Sequence, residues 1–229
     1  MPETSRTTET DPMAELAAQA AQAAQLRTPE SVWRDLKEGN ARFMQDQSAR
    51  PHQDLTRREK LTHGQHPAAV ILACSDSRVP VEIIFDQGLG DIFVIRTAGE
   101  ITDLSVLASL EFAVASLGVQ LVCVLGHESC GAVKAAKSAL DGGELPGGFQ
   151  RVLVEKVTPS LLAARRDGQT TLDDFERRHV AEIVEHIIDR SPEIGSRLND
   201  GRLGVAGLRY RLRDGHAETV VLKGVSENP

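Results

Sequence analysis

Three residues with metal-binding side chains lie in two short motifs of this sequence. Cys74 belongs to CSDSR at 74–78, and His127 and Cys130 belong to GHESCG at 126–131. Thiolates and imidazoles bind Zn²⁺ well, and zinc prefers four ligands in a tetrahedron. Three protein ligands leave a fourth position for water, which is the arrangement of catalytic zinc sites rather than of closed structural ones. The two motifs therefore predict a catalytic zinc site.

Asp76 and Arg78 follow Cys74 on the same loop. A carboxylate there could accept a hydrogen bond from water on the metal, or become the fourth ligand in a closed state, and Arg78 could decide between these by a bidentate ion pair. Each feature alone has an ordinary explanation: a small buried thiol, a chance HxxC pair, a surface ion pair. Core packing alone does not explain why CxDxR and HxxCG both occur, each directly after an apolar run.

The elements that must position these residues are predicted directly before each motif. Short apolar, β-branched runs at 68–74, 91–97 and 120–127 are typical of buried parallel strands. The helical pattern at 104–117 lies between the second and third runs and predicts a right-handed parallel crossover. Ligands form at the carboxyl ends of such strands, so we expect the motifs to meet at one edge of the sheet. Cys123 lies mid-strand and is interpreted as core.

The remaining pattern completes an α/β fold. Helices are predicted over 131–140, 153–165 and 172–190, with a short helix restarting at Ser191-Pro192. Strand patterns at 203–212 and 217–222 flank Asp214-Gly215, which is a hairpin signal. We therefore expect a central parallel β-sheet with one antiparallel edge strand, flanked by helices.

The domain organisation is predicted from the N-terminal composition. Residues 1–27 are polar and then Ala/Gln-rich, and are expected to be an extension that is partly disordered or helical. Residues 28–229 are expected to form one domain. It begins with a helix that starts at Thr28-Pro29 and carries Trp33.

Charge and hydropathy exclude several classes of partner. The formal net charge is −7 and there is no long basic run, so nothing indicates nucleic-acid binding. No apolar stretch is long enough to span a membrane. The N-terminal residues lack the basic start and apolar centre of a secretory signal, and the three cysteines do not form a disulfide framework. We expect a cytoplasmic protein.

At these motifs the chain resembles the β-class carbonic anhydrases, and its LPGG, RRDG and FERRHV segments resemble the actinobacterial-type members. The segments that carry the resemblance are CSDSR, GDIFVIRTAGE, LASLEFAVASLGV and GHESCGAV. The resemblance implies reversible hydration of CO₂ to bicarbonate and a proton, the reaction of carbonate dehydratase, a lyase. It also implies that Cys74, His127 and Cys130 bind Zn²⁺ and that Asp76 and Arg78 form a catalytic dyad.

The resemblance further implies a set of substrate-binding residues: Gln65, Phe93, Ala98, Phe112 and Gly131. Phe112 stands where plant-type members have a tyrosine that reaches in from the partner subunit, so the hydroxyl is absent here. Plain core packing is the alternative explanation for Phe93 and Phe112. Some bacterial members have an inhibitory bicarbonate site with a tryptophan at the position of Ile71, which makes that regulation doubtful. Candidates for proton transfer are His52, His63 and His66.

The family resemblance also implies a homodimer or a dimer of dimers, in which N-terminal helices, including the Trp33 helix, pack on a partner subunit. Three alternatives stay open. One is a zinc hydrolase acting on carbonyl sulfide or carbon disulfide on the same scaffold. Another is a non-catalytic protein with zinc closed off by Asp76. The third is a thiol redox protein using Cys74 and Cys130, which lacks a CxxC motif.

Overall fold

The computed structural model describes residues 26–227 and five earlier positions, 15, 16, 18, 19 and 22, which are helical. The rest of the segment 1–25, which the sequence predicts to be partly disordered or helical, lies outside the described residues. In the part of the chain that is described, no helix has both the length and the apolar character that a membrane crossing requires.

One five-stranded sheet with the order β2-β1-β3-β4-β5 organises the fold. Its strands are β1 Ala69–Cys74, β2 Ile92–Thr97, β3 Leu121–His127, β4 Gly204–Tyr210 and β5 Ala217–Lys223. The first four strands pair in parallel, and β5 pairs antiparallel with β4. The predicted fold class, a parallel sheet with one antiparallel edge strand, is confirmed.

Helices cover both faces of this sheet. They are α1 Pro29–Met44, α2 Leu55–Lys60, α3 Val81–Ile84, α4 Leu104–Ala115, α5 Gly131–Leu140, α6 Gln150–Arg166, α7 Leu172–Arg190 and α8 Pro192–Asn199. Short 3₁₀ turns lie at Leu61–His63 and Ala98–Glu100. The start of α7 is fixed by a capping box between Thr171 and Asp174, and Asp103 caps α4. These caps place the helix starts close to where the sequence predicts them.

Alternate residues of the central strands enter two separate cores. Ile71 packs with α1 on one face, whereas Leu72 packs with α4 and α7 on the other. Every residue of β1, β3 and β4 is buried. Strands covered on both faces read as continuous apolar runs, which explains why these runs were recognisable in the sequence.

Helix α1 packs on the sheet of its own chain. Trp33 is only 1% exposed, and its Nε1 donates a hydrogen bond to the carbonyl of Ser226 at 3.0 Å. Val32 and Leu36 are buried beside it. The sheet of the same chain therefore buries the apolar face of this helix, and packing of the helix on a partner subunit stays a prediction.

Helix α7 comes unusually close to the sheet. A Cβ atom built on Gly126 of β3 would lie 2.4 Å from Cγ2 of Val180, and one built on Gly207 of β4 would lie 2.8 Å from its Cγ1. Only glycine fits at these two positions, because any side chain would overlap Val180. The two glycines thus allow α7 to bring its buried face, including Glu176 and His179, directly under the end of β3.

Candidate metal centre

Cys74, His127 and Cys130 meet at the carboxyl edge of the sheet. Cys74 is the last residue of β1, His127 is the last residue of β3, and Cys130 directly precedes α5. Their potential ligand atoms all lie within 4.8 Å of one another, and all three residues are buried. They meet because β1 and β3 are adjacent parallel strands that end at the same edge.

The hydrogen bonding of His127 fixes which ring nitrogen is available. Nδ1 lies 2.9 Å from the carbonyl oxygen of Glu128. A carbonyl only accepts, so Nδ1 carries the proton and Nε2 keeps its lone pair. Nε2 is buried and has no hydrogen-bond partner among the described residues. An unpartnered imidazole nitrogen beside two sulfurs fits a metal ion that takes nitrogen and sulfur ligands.

The two thiols are electrostatically linked. A hydrogen bond from the Cys130 thiol lowers the pKa of Cys74 despite its burial, and the same bond together with burial raises the pKa of Cys130. The backbone N–H of Gly99 also points at Cys74 Sγ, at 3.3 Å. Two adjacent buried thiols thus hold one negative charge easily. A second charge needs a cation between them, and a bound metal would supply it.

Asp76 and Arg78 form the bidentate pair that the sequence suggested. Arg78 Nη2 lies 2.7 Å from Asp76 Oδ2, and Arg78 Nε lies 2.9 Å from Oδ1. The Arg78 guanidinium holds the pKa of Asp76 well below its usual range, so this carboxyl is charged. Oδ2 lies 3.8 Å from Nε2 of His127. Arg96 supports the loop by donating to the carbonyls of Cys74 and Asp76, each at 2.7 Å from Nη2.

The predicted substrate-binding residues lie in different elements, and Phe93 pairs with Val70 near the start of β1, at a distance from the strand end that carries Cys74. Phe93 of β2 and Phe112 of α4 pack together, with ring centroids 6.2 Å apart. Phe112 is 49% exposed, so it is not simply core. Ala98 is the exposed first residue of the 3₁₀ turn after β2, whose other two residues are buried, and Gly131 is the first residue of α5. Gln65 lies in the exposed loop before β1.

Sequence reasoning missed a buried ion pair behind the metal ligands. Glu176 Oε1 accepts a hydrogen bond from the Cys130 amide at 3.2 Å, and its Oε2 accepts one from Arg209 Nε at 2.8 Å. Glu176 and Arg209 are 2% and 1% exposed. A signal was present in the sequence, because Glu176 lies four residues before Val180 and so extends the apolar stripe of α7.

Sequence reasoning also missed Glu100, a second buried carboxyl near the ligands. It is 1% exposed, and its Oε2 has no hydrogen-bond partner in the part of the chain that the structure describes. Burial, and then the charge of Cys74, raise the pKa of Glu100 well above its usual value, so this carboxyl is neutral. Its φ of 41° follows Gly99 at 68°, and such a left-handed non-glycine residue costs about 1–3 kcal/mol.

His52, one of the three histidines considered for proton transfer, is held in place. Its Nδ1 lies 2.7 Å from Asp91 Oδ2, and Arg57 contacts the same carboxylate at 2.9 Å. This shared contact ties the polar segment before β1 to the loop before β2. The His52 ring is therefore part of a structural ion-pair cluster.

The sequence matches a known protein-family model and has close relatives, and both agree with this geometry. Residues 69–217, more than half of the chain, match the carbonic anhydrase family model. The chain is 52% identical over 189 residues to carbonic anhydrase 2 of Mycobacterium tuberculosis, covering 82% of this chain and 91% of the relative. It is likewise 52% identical over 190 residues to a carbonic anhydrase of Mycolicibacterium smegmatis, covering 83% and 92% of the two chains.

Among solved structures, the fold is similar to that of tetrameric β-carbonic anhydrases from Sordaria macrospora. The TM-score is 0.62 at 23% identity, over 90% of this chain and 94% of that chain. At this identity the likeness concerns the fold alone. From the matched family model, the relatives and the Cys-His-Cys group at the sheet edge, it follows that the chain belongs to the β-carbonic anhydrase family.

Proposed function

We propose that this chain catalyses the reversible hydration of CO₂ to bicarbonate and a proton, with Zn²⁺ bound by Cys74, His127 and Cys130. The observation that carries the proposal is the buried, unpartnered Nε2 of His127 beside two thiols at adjacent strand ends. The carbonic anhydrase relatives at 52% identity support it. Zinc bound by these three residues would lower the pKa of a water molecule at its free position, so that hydroxide would be available near neutral pH.

Asp76 and Arg78 then act as an orienting pair. Both carboxylate oxygens of Asp76 are engaged by Arg78, and the carboxylate is held in its charged form. A charged acceptor fixed beside the ligands takes the hydrogen bond of the attacking water and directs its lone pair towards CO₂. Because the guanidinium already satisfies Asp76, we propose that the carboxylate stays off the metal and leaves the fourth position open.

CO₂ is small and apolar, and we assign its pocket to Phe93, Ala98 and Phe112. The contact between Phe93 and Phe112 supports a shared apolar wall. Charge develops on a substrate oxygen as bicarbonate forms. The backbone N–H of Gly131 lies at the start of α5, where helix amides have no partner within the helix. We propose that it stabilises this charge, with Gln65 as the second donor.

A homodimer, or a dimer of dimers, is supported by an apolar surface beside the site. We call this the β2/α4 surface; it consists of Ile92, Phe93, Val94, Ile95, Leu104 and Phe112. The strand β2 lies at the edge of the sheet, its apolar side chains are only partly buried by the chain itself, and Leu104 is 78% exposed. Long apolar edge strands are normally covered, and a second copy of the chain would cover this one. The tetrameric description of the Sordaria proteins agrees with such an assembly.

The assembly is tested by Leu104→Glu with Leu162→Glu as a matched control. Leu162 is 52% exposed on α6, away from the β2/α4 surface, so both substitutions replace an exposed leucine. In sedimentation experiments over a range of concentrations, Leu104→Glu is expected to dissociate more readily than the native chain and the control. Equal sedimentation of all three proteins would contradict an interface at this surface.

The catalytic proposal is tested with Asp76→Asn, and with Asp141→Asn as the control. Asp141 is also paired with an arginine, Arg165, but lies at the far end of α5. Zinc content and CO₂ hydration are measured from neutral to alkaline pH. Asp76→Asn is expected to keep stoichiometric zinc and lose about a hundredfold or more in kcat, because the loss of an acid–base or orienting group typically has that size. The control should retain native activity.

Three experimental outcomes would contradict the proposed function. Purified protein without zinc would remove the metal centre. Negligible CO₂ hydration beside rapid turnover of carbon disulfide or carbonyl sulfide would favour the related hydrolase. Zinc without any activity from neutral to alkaline pH would favour a closed, non-catalytic site.

The catalytic unit is proposed to be residues 28–229, with residues 1–27 as an extension. A chain that begins at Thr28 should keep zinc and CO₂ hydration, and loss of both would contradict this boundary. A cytoplasmic location is proposed because all three cysteines are free thiols, the form that a reducing compartment maintains, and cell fractionation tests it.

A further inference from the structure

His179 is a buried histidine to which none of the roles above applies. It lies on α7 and is 0% exposed. Its Nε2 is 2.9 Å from the carbonyl oxygen of Gly99, and its Nδ1 is 2.9 Å from Ser160 Oγ of α6. The carbonyl can only accept, so Nε2 carries the proton and Nδ1 accepts from the Ser160 hydroxyl. The ring is thus neutral, fully hydrogen-bonded and fixed in orientation.

The segment that His179 holds contacts a metal ligand directly. The backbone N–H of Gly99 donates to Cys74 Sγ at 3.3 Å, while its carbonyl accepts from His179. Gly99 and Glu100 both have left-handed backbone conformations, and a Cβ on Gly99 would lie 2.5 Å from the Cβ of Ala132. Such a tight turn is not a relaxed local structure, so contacts from outside the turn must maintain it.

A continuous hydrogen-bonded path therefore runs from α6 to the sulfur. Ser160 fixes the ring of His179, His179 fixes the carbonyl of Gly99, and the amide of the same residue points at Cys74 Sγ. A hydrogen bond to a thiolate withdraws electron density that the sulfur would otherwise donate to a metal. Groups that orient metal ligands in this way typically change metal affinity or activity about 10- to 100-fold when removed.

We propose that His179 is a positioning residue of the metal centre, which aims the Gly99 amide at the Cys74 sulfur and so tunes how strongly that thiolate binds the metal. This inference rests on the proposed zinc site. It assigns His179 no contact with substrate.

Four variants separate this role from a general loss of packing. His179→Leu fills similar volume and removes both hydrogen bonds, whereas His179→Gln keeps an N–H donor near the position of Nε2. Ser160→Ala removes only the hydroxyl that fixes the ring. Ile187→Ala is the matched control, because Ile187 is also 0% exposed on α7 but lies outside the hydrogen-bonded path.

The readouts are the sulfur-to-metal charge-transfer band of the Co²⁺-substituted protein and the rate at which Zn²⁺ passes to a chromogenic chelator. His179→Leu is expected to shift the band and to release zinc about 10- to 100-fold faster. His179→Gln should restore most of the native band and release rate. Ile187→Ala should unfold more easily with both metal readouts unchanged.

The proposal is overturned if His179→Leu has the native band and releases zinc within twofold of the native rate, or if Ile187→Ala changes both readouts equally. If the leucine variant does not fold, Ser160→Ala decides the matter, since it should change both readouts in the same direction but less. An unchanged Ser160→Ala protein would overturn the proposal. Both readouts are independent of turnover, so a zinc-binding chain without CO₂ hydration would refute the proposed function and leave this test intact.

Discussion

Replacing Arg209 by methionine tests how the buried ion pair between Arg209 and Glu176 contributes to the free energy of unfolding. Arg209 is 1% exposed and contacts Glu176 at 2.8 Å and Asp173 at 2.9 Å. The side chain of Asp173 is 57% exposed and stays hydrated, but Glu176 is 2% exposed and loses its buried partner. Removing one member of a buried ion pair costs about 3–5 kcal/mol.

The size of this loss should depend on pH, because Glu176 can take up a proton. With an ordinary glutamate pKa of about 4.3, protonation costs about 3.7 kcal/mol at pH 7 and about 1 kcal/mol at pH 5. The charge-dependent part of the loss should thus shrink by about 2.7 kcal/mol between these pH values. For a chain of 229 residues, a loss of about 4 kcal/mol lowers Tm by about 8–16 °C.

The assay is urea unfolding of the metal-loaded Arg209→Met and native proteins at pH 7 and pH 5, at one protein concentration. The double variant Glu176→Gln, Arg209→Met removes both charges and keeps an acceptor for the Cys130 amide, so it should recover most of the loss. Arg151→Met is the surface control, because its pair with Glu155 is about 60% and 58% exposed, and it should change stability by no more than about 0.5 kcal/mol.

Three results would refute this reasoning. The first is a loss below about 1 kcal/mol at pH 7 for Arg209→Met, since a buried pair should lose several times that amount. The second is an equal loss at both pH values. The third is a double variant that is no more stable than the single one.

Three further predictions concern buried groups near the same sheet. Burial opposes ionisation of Asp86, but Arg42 and two backbone amides outweigh it and lower its pKa; Asp86→Asn should therefore unfold more easily at pH 7, with the difference from the native chain fading as pH falls below about 4. For Glu100 the pH dependence of stability runs in the opposite direction. Because its pKa is raised in the folded chain, native stability declines as pH rises above about 4.3. Glu100→Gln should accordingly be more stable than the native chain at pH 7 to 8 in urea melts and equal near pH 4. Gly126→Ala should lower the free energy of unfolding by about 1–3 kcal/mol, because its Cβ would overlap Val180 and Glu100. In a double-mutant cycle, Gly126→Ala with Val180→Ala should lose about 0.5–3 kcal/mol less than the sum of the two single losses.

The metal ligands and the sheet were predictable because their signals are local. Cys74 and His127 each end a continuous apolar run, and parallel strands place their ends together. The crossover pattern between β2 and β3 and the Asp214-Gly215 turn then fix the parallel centre and the antiparallel edge.

The supporting residues were not predicted because their burial is decided by distant contacts. Glu176 and His179 are polar residues on a helix, and such residues usually face solvent. Their burial follows from the way α7 lies on Gly126 and Gly207, far away in the chain. The burial of Trp33 against its own sheet was not predicted for a similar reason, since an apolar stripe does not say whether its own sheet or a partner will cover it.

Because Val180 packs on Gly126 and Gly207, the metal centre should be sensitive to substitutions at these two glycines, which are not metal ligands. A methyl group added at Gly207 would overlap Val180 of α7 at 2.8 Å as well as Val221 of β5 at 2.7 Å, and so would push against the helix that carries both Glu176 and His179. A variant at either glycine could therefore present as a zinc-deficient enzyme with intact ligands. Genetic variants in this chain that lower metal content should be mapped first onto this contact, and only then onto the ligands themselves.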